Sequence, residues 1–361
     1  MLLGREDVNP NKADTFYSQT PLRRALENGY ERVAKMLLER EDVNPDQMVT
    51  EYGRTPLTWA IERGQIEVVR ILLGRKDVDP NQSDAFYSQT PLTWAAKNGH
   101  EGVARVLLER VEVNPDETDT FYGRTPLSWA AKNGHEGVVK MLLERKDINP
   151  DQADTKYGLI PLLWAATKRH VGVVKMLANR EDFSSDQLVP RWDQKPLMWA
   201  IEKGHEEVIN MLLEQGGVTP NTGDTRDRWT PLTWAAKNGR EGIVKMLLEQ
   251  EEVNPDKPDT SYSETPLSWA AKNGHEGIVK TLSEGEDVDP DKPDNFFGRT
   301  PLSWAAENRH DGIVKMLLER KDVNLNQPDT MYGLAQFPWA AANGHQGVAF
   351  KRRRLNGHSD N

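Results

Sequence analysis

The sequence predicts an all-α solenoid of about nine full copies of one helix–turn–helix unit, with partial copies at both ends. Three observations carry this. Thr-Pro-Leu recurs from Thr20, Thr55, Thr90, Thr125, Thr230, Thr265 and Thr300, with variants at Ile160 and Lys195 and a decayed copy at Ala335, always in steps of 35 residues. Apolar residues inside each copy fall at helical spacing, and turn residues separate them at constant offsets. A fixed period of this size marks a stacked array, and it overrides the two or three globular domains that 361 residues would otherwise suggest.

The copy at 114–148 shows why each element forms. Thr125 can cap a helix through its hydroxyl, and Pro126 suits the first helical position, where a missing N–H costs nothing. Leu127, Ala130 and Ala131 share one side of that short helix. Gly134 ends it by taking a positive φ that a Cβ resists. His135 and Glu136 open a second helix, whose Val138, Val139, Leu142 and Leu143 form an apolar stripe. Asn114-Pro115-Asp116 and Gly123 are turn residues and bound a finger-like loop. Two short helices cannot bury their own apolar face, so neighbouring copies must stack.

Thr-Pro-Leu-x-x-Ala-Ala, then Gly-His, an apolar helix and a turn, resembles the ankyrin repeat over essentially residues 1–345. It departs from that pattern in three ways. Ser or Thr (Ser128, Thr233, Ser268) replaces the usual His after Thr-Pro-Leu, charged residues (Lys146, Lys321) replace the Gly after the second helix, and the finger is longer. With its tryptophans the chain is similar to long arrays of filamentous fungi. The resemblance implies an ankyrin-repeat solenoid that binds proteins without catalysis, through finger loops and the concave helix face. It also raises a rival: a sensor fragment of a larger signalling ATPase of NACHT–ankyrin type, its catalytic part upstream.

The expected boundaries are a partial repeat at 1–19, repeats at 20–334, a degenerate copy at 335–350 and a basic, polar tail at 351–361. Met1-Leu2-Leu3 aligns with Met141-Leu142-Leu143, so the chain reads as starting inside a second helix, which suggests a fragment. Arg23 and Arg24 would make the first helix of repeat one more soluble.

A net charge of −10 argues against a nucleic-acid or anionic-membrane surface as the main partner. The absence of cysteine removes disulfides and thiolate metal sites and fits a reducing, cytoplasmic compartment. No apolar run approaches the ~18 residues that span a bilayer. Lys351–Arg354 reads either as a nuclear signal or as a solvated tail. The expectation is a monomeric solenoid with a protein partner of unknown identity and no cofactor.

Nine of the eleven tryptophans stand in register, from Trp59 through Trp129 and Trp234 to Trp339. They fall about 200° around the helix from the Leu127 equivalents. They read as wedges between first helices, against an alternative of an aromatic binding stripe. Rings also stand three residues before the Thr position, as at Tyr122, with Asp227 the one gap, and are expected to pack the finger base onto the next repeat. His135 and its equivalents invite a metal reading, but copies ~10 Å apart cannot share one ion, so they are expected to hydrogen-bond turn backbone. Asp287–Asp291 begins like a calcium loop, yet Lys292 and Gly298 break the pattern. No constellation of an enzyme stands outside the repeat register.

Repeats five to seven (158–262) depart most from the common unit. Arg169 replaces the turn glycine, as Arg309 does later, and should cost about 1 kcal/mol or reshape the turn. Leu163, Lys168, Arg191, Trp192, Met198, Lys203, Arg226, Arg228 and Trp229 are the candidate protein-binding residues, because Trp and Arg on loops dominate binding hot spots. The alternative is drift among duplicated units, with Trp229 refilling the ring missing at Asp227. Trp129, Gly134, His135, Trp234 and Tyr122 are assigned structural roles.

Overall fold

The computed structural model describes residues 9–15, 19–45, 53–180, 182, 196–214, 220–221, 223, 229–285 and 287–324. Among them regular structure is entirely helical, and the chain divides into two compact units. The first holds α1 (Pro21–Glu27), α2 (Glu31–Leu38), α3 (Pro56–Glu62), α4 (Ile66–Gly74) and α5 (Pro91–Asn98). It continues through α6 (Glu101–Leu108), α7 (Pro126–Asn133), α8 (Glu136–Leu143), α9 (Pro161–Thr167) and α10 (Val171–Ala178). The second holds α11 (Pro196–Lys203), α12 (Glu206–Glu214), α13 (Pro231–Lys237) and α14 (Glu241–Leu248). It ends with α15 (Pro266–Asn273), α16 (Glu276–Ser283), α17 (Pro301–Glu307) and α18 (Asp311–Glu319). None is long and apolar enough to cross a membrane.

Seven first helices, α1, α3, α5, α7, α13, α15 and α17, start as their sequence predicts, with a threonine cap and a proline in the first turn. Thr125 is extended, its hydroxyl accepts the Ser128 N–H at 3.1 Å, and Pro126 opens α7. Ile160, which lacks a hydroxyl, heads α9 without a side-chain cap. Helices of 7 to 9 residues are too short to persist alone. Stability must come from packing. Within the first unit α5 packs on α7 and α7 on α9, while α6 packs on α8; within the second, α13 packs on α15 and α15 on α17. Leu127, Ala130, Ala131, Val138, Val139 and Leu142 are fully buried between these layers.

The turn between helices is held in place where glycine is absent. Gly134 has φ 76°, and Arg169 and Arg309 reach 60° and 61° at the same repeat position. The turn therefore keeps its shape and the arginines carry the strain. A Cβ on Gly134 would also lie 2.6 Å from His170 Nδ1 of the following repeat.

Within each unit, three sets of hydrogen bonds tie repeats to their predecessors. His135 Nε2–H donates to the Lys97 carbonyl at 3.1 Å, and His100, His170, His275 and His310 do the same 38 residues back. The acceptor is thus the end of the preceding first helix rather than the local turn. Arg145 reaches the Leu108 carbonyl at 2.9 Å and forks onto Asp147, placing a cation at the C-terminal end of α6. Arg110 and Arg320 repeat this at Leu73 and Ser283.

The third set runs along the fingers. Asn11, Asn81 and Asn221 donate through Nδ2 to the carbonyls of Asp42, Glu112 and Glu252 and accept through Oδ1 from the backbone of Asn44, Asn114 and Asn254. Asp116, Asp256 and Asp291 occupy the same register. Their Oδ2 atoms accept from Asn149, Asp289 and Asn324, and their buried Oδ1 atoms have no protein partner.

Candidate functional site

Five first helices, α5, α7, α9, α15 and α17, are joined to their own fingers by a tryptophan and an aspartate ten residues earlier. Trp129 Nε1–H donates to Asp119 Oδ2 at 2.7 Å, and the pair recurs at Trp94–Asp84, Trp164–Asp154, Trp269–Asp259 and Trp304–Asp294. Asp119 Oδ1 accepts the Tyr122 N–H at 2.6 Å, and Asp119 N–H donates to the Arg124 carbonyl. One buried aspartate thereby sets the indole and the finger turn through its carboxylate and the entry to the helix through its backbone N–H. Sequence reasoning missed it, although the signal was there: Asp14, Asp84, Asp119, Asp154, Asp224, Asp259, Asp294 and Asp329 stand in register. Val49 and Val189 interrupt the row, and Trp59, ten residues after Val49, has a buried Nε1 without a protein partner.

Cations lie over the indoles. Lys97 Nζ sits 4.9 Å from both Trp94 and Trp129, Lys132 bridges Trp129 and Trp164, and Lys272 bridges Trp269 and Trp304. Each ammonium is attracted to the ring faces. Most cations there are matched across the finger base by a residue eight positions away. Arg54–Glu62, Glu264–Lys272 and Arg299–Glu307 form ion pairs, and Gln89 binds Lys97. Burial raises the Glu264 carboxyl above its ordinary range while Lys272 opposes the shift. Burial pushes the Lys132 ammonium down to about 8, and repulsion from Arg124, Lys168 and Lys97 acts in the same direction.

The fingers add an aromatic edge. Phe86, Tyr87, Phe121 and Tyr122 contact edge-on in series at 4.6, 5.6 and 4.6 Å, ending against Trp129 at 5.5 Å. Tyr157 and Phe297 meet Trp164 and Trp304 in the same way. Tyr122, Tyr157 and Phe297 thus meet the tryptophan of their own repeat, whereas Tyr87 meets Phe121 of the next one, the packing expected from the sequence. Phe121 is 51 % exposed and Phe296 65 %, with Lys156 Nζ 4.0 Å over the Phe121 ring.

The sequence candidates separate into three groups. Leu163 and Met198 are buried, at 0 % and 1 % exposed, which corrects the expectation that they face a partner. Both follow Pro-Leu, where Ser128 and Thr233 are equally buried in other copies, so an apolar side chain there enlarges the core. Lys168 and Lys203 are exposed at the ends of α9 and α11, Lys203 near Glu202. Trp229 is half-buried, with Lys237 Nζ 3.6 Å from its ring and Trp269 5.9 Å away. It occupies the register of Arg54 and Arg299, replacing their ion pairs with a cation–ring contact, and is not at a fingertip. Arg191, Trp192, Arg226 and Arg228 lie outside the described residues. Among the structural assignments, Trp129 is buried, Trp234 and Tyr122 are half-buried, and Gly134 and His135 form the turn already described. No group of His, Asp or Glu among the described residues could hold a metal ion.

No curated protein matches the chain. A family model for ankyrin repeats, three copies long, matches residues 1–84, 76–154, 149–224, 216–294 and 252–329. These overlapping matches run without a gap to residue 329, and the chain belongs to the ankyrin-repeat family.

Proposed function

We propose that this chain is a non-catalytic scaffold that recognises a partner protein through its fingers and the C-terminal ends of its first helices. Ankyrin repeats are in general protein-interaction modules. The observation that carries the reading here is the exposed aromatic edge of the fingers, Phe86 and Phe121 in one unit and Phe296 in the other. Large rings held rigidly at a surface bind with little loss of side-chain entropy. The exposed Lys168 and Lys203 fall within the same proposal, as do Trp229 and the loop residues Arg191, Trp192, Arg226 and Arg228.

Crosslinking mass spectrometry of the chain with lysate proteins tests this. Partner crosslinks should map to the fingers and first-helix ends and diminish in Phe86→Ser/Phe121→Ser. Crosslinks confined to the second helices α4, α6 and α8, unaffected by that double change, would show the surface to be wrongly chosen.

A further inference from the structure

At one pair across the finger base, charge is opposed by like charge. Where other repeats set Arg54 against Glu62 or Lys272 against Glu264, the corresponding residues are Arg124 and Lys132, both cations. Arg124 is 1 % exposed, and its guanidinium lies 4.0 to 5.6 Å from the rings of Tyr122, Trp129, Tyr157 and Trp164. Its Nε and Nη1 are buried without a hydrogen-bond partner. Asp154 Oδ2, 3.8 Å from Nε, already accepts the Trp164 indole, and Asp119 is held by Trp129 and the Tyr122 N–H. The following repeat supplies Leu159 and Thr167 in the paired register, then Lys168, and so adds no acid. Among the described residues neither Lys132 nor Lys168 forms an ion pair. The ammonium of Lys132 is half-buried, and burial together with the neighbouring cations disfavours its charged form.

We infer that Lys97, Lys132 and Lys168, above the buried Arg124, form a docking site for a carboxylate-rich segment of a partner protein. This rests on the scaffold reading and adds the chemistry of the partner. An arriving carboxylate supplies the counter-charge that Glu62 and Glu264 supply elsewhere. The indoles of Trp129 and Trp164 exclude water from one side, which strengthens such pairs. The chain carries a net charge of −10, so an acidic segment is repelled by most of the surface and concentrated here.

The test is fluorescence anisotropy of a labelled oligoglutamate peptide at low salt, with an oligoglutamine peptide as its uncharged counterpart. The intact chain should bind the first and not the second. Lys132→Gln should weaken binding about tenfold and Lys168→Gln about threefold, whereas Lys272→Gln, whose lysine is held by Glu264, changes it by less than about twofold. Lys168 is exposed, so its variant keeps the test decisive if Lys132→Gln disturbs packing, which circular dichroism reports. Equal binding by all three variants, or no binding of oligoglutamate by the intact chain, overturns the inference. An oligothymidylate strand bound as tightly through the same lysines also overturns it. If a crosslinked partner still maps to the fingers when oligoglutamate fails, the acidic-segment assignment falls and the scaffold reading stands.

Discussion

The finger ladder contains its own experiment. Asn81 and Asp116 occupy the same register, yet Asn81 Nδ2 donates to the Glu112 carbonyl at 2.7 Å while Asp116 Oδ1 is buried without a partner. The carbonyl corresponding to Glu112 belongs to Asp147, so an ionised Asp116 sets lone pairs against lone pairs. The same holds for Asp256 and Asp291, and burial raises all three carboxyls above the ordinary aspartate range. Replacing all three with asparagine converts each clash into a hydrogen bond, about 1 kcal/mol apiece. The sites are whole repeats apart, so their effects should add to about 3 kcal/mol at neutral pH. The sign with pH follows from linkage. A carboxyl raised in the folded state contributes stability that is complete below its unfolded pKa, about 4, and is lost as pH rises through the folded value. The advantage of the triple variant should therefore be largest at pH 7 and vanish below about pH 4, where Oδ1–H itself donates. Urea unfolding followed by tryptophan fluorescence at both pH values measures this. No gain at pH 7, or a gain undiminished in acid, would refute the argument.

Three further outcomes follow from the packing. Trp129→Phe removes the only indole donor to Asp119 Oδ2, whereas Trp59 has no such acceptor, so urea midpoints should show Trp129→Phe costing about 1–2 kcal/mol more than Trp59→Phe. Arg169→Gly relieves a φ of 60° and should stabilise by about 0.5–1 kcal/mol, while Gly134→Ala, forced against His170, should destabilise by about 2 kcal/mol or more in thermal melts. Lys132 is pushed down from 10.5 to about 8, so the unfolded chain holds more protons between those values and stability should rise with pH across that window. Lys132→Met should be more stable than wild type at pH 7, with the difference disappearing above pH 10.5 in melts across that range.

The parts of the fold written as local rules were legible in the sequence. Thr125-Pro126 and Gly134 state where α7 begins and ends, and the stripe through Val138 and Leu142 states what α8 buries. Partners in other repeats were not legible. His135 reads as a turn residue until its acceptor, the Lys97 carbonyl, is seen 38 positions earlier. Asp119 reads as a loop residue because the indole it binds lies ten residues on, across the finger base. Leu163 and Met198 looked like departures suited to binding, but the position they occupy already faces inward in other copies. Periodicity says which residues are equivalent; burial decides whether the shared position meets solvent.

The links between repeats span 31 to 38 residues in sequence, all close to one period. They also have a direction, since His100, His135, His170, His275 and His310, and Arg110, Arg145 and Arg320, donate backward to a carbonyl of the unit before. Such a chain tolerates edits only in whole units. Deleting one complete period rejoins every donor to an equivalent acceptor, whereas a three-residue deletion in a finger strands the histidine, the arginine and the finger amide together. Length is therefore free to vary by recombination between equivalent codons, while spacing inside a unit is held fixed by bonds that no single repeat contains.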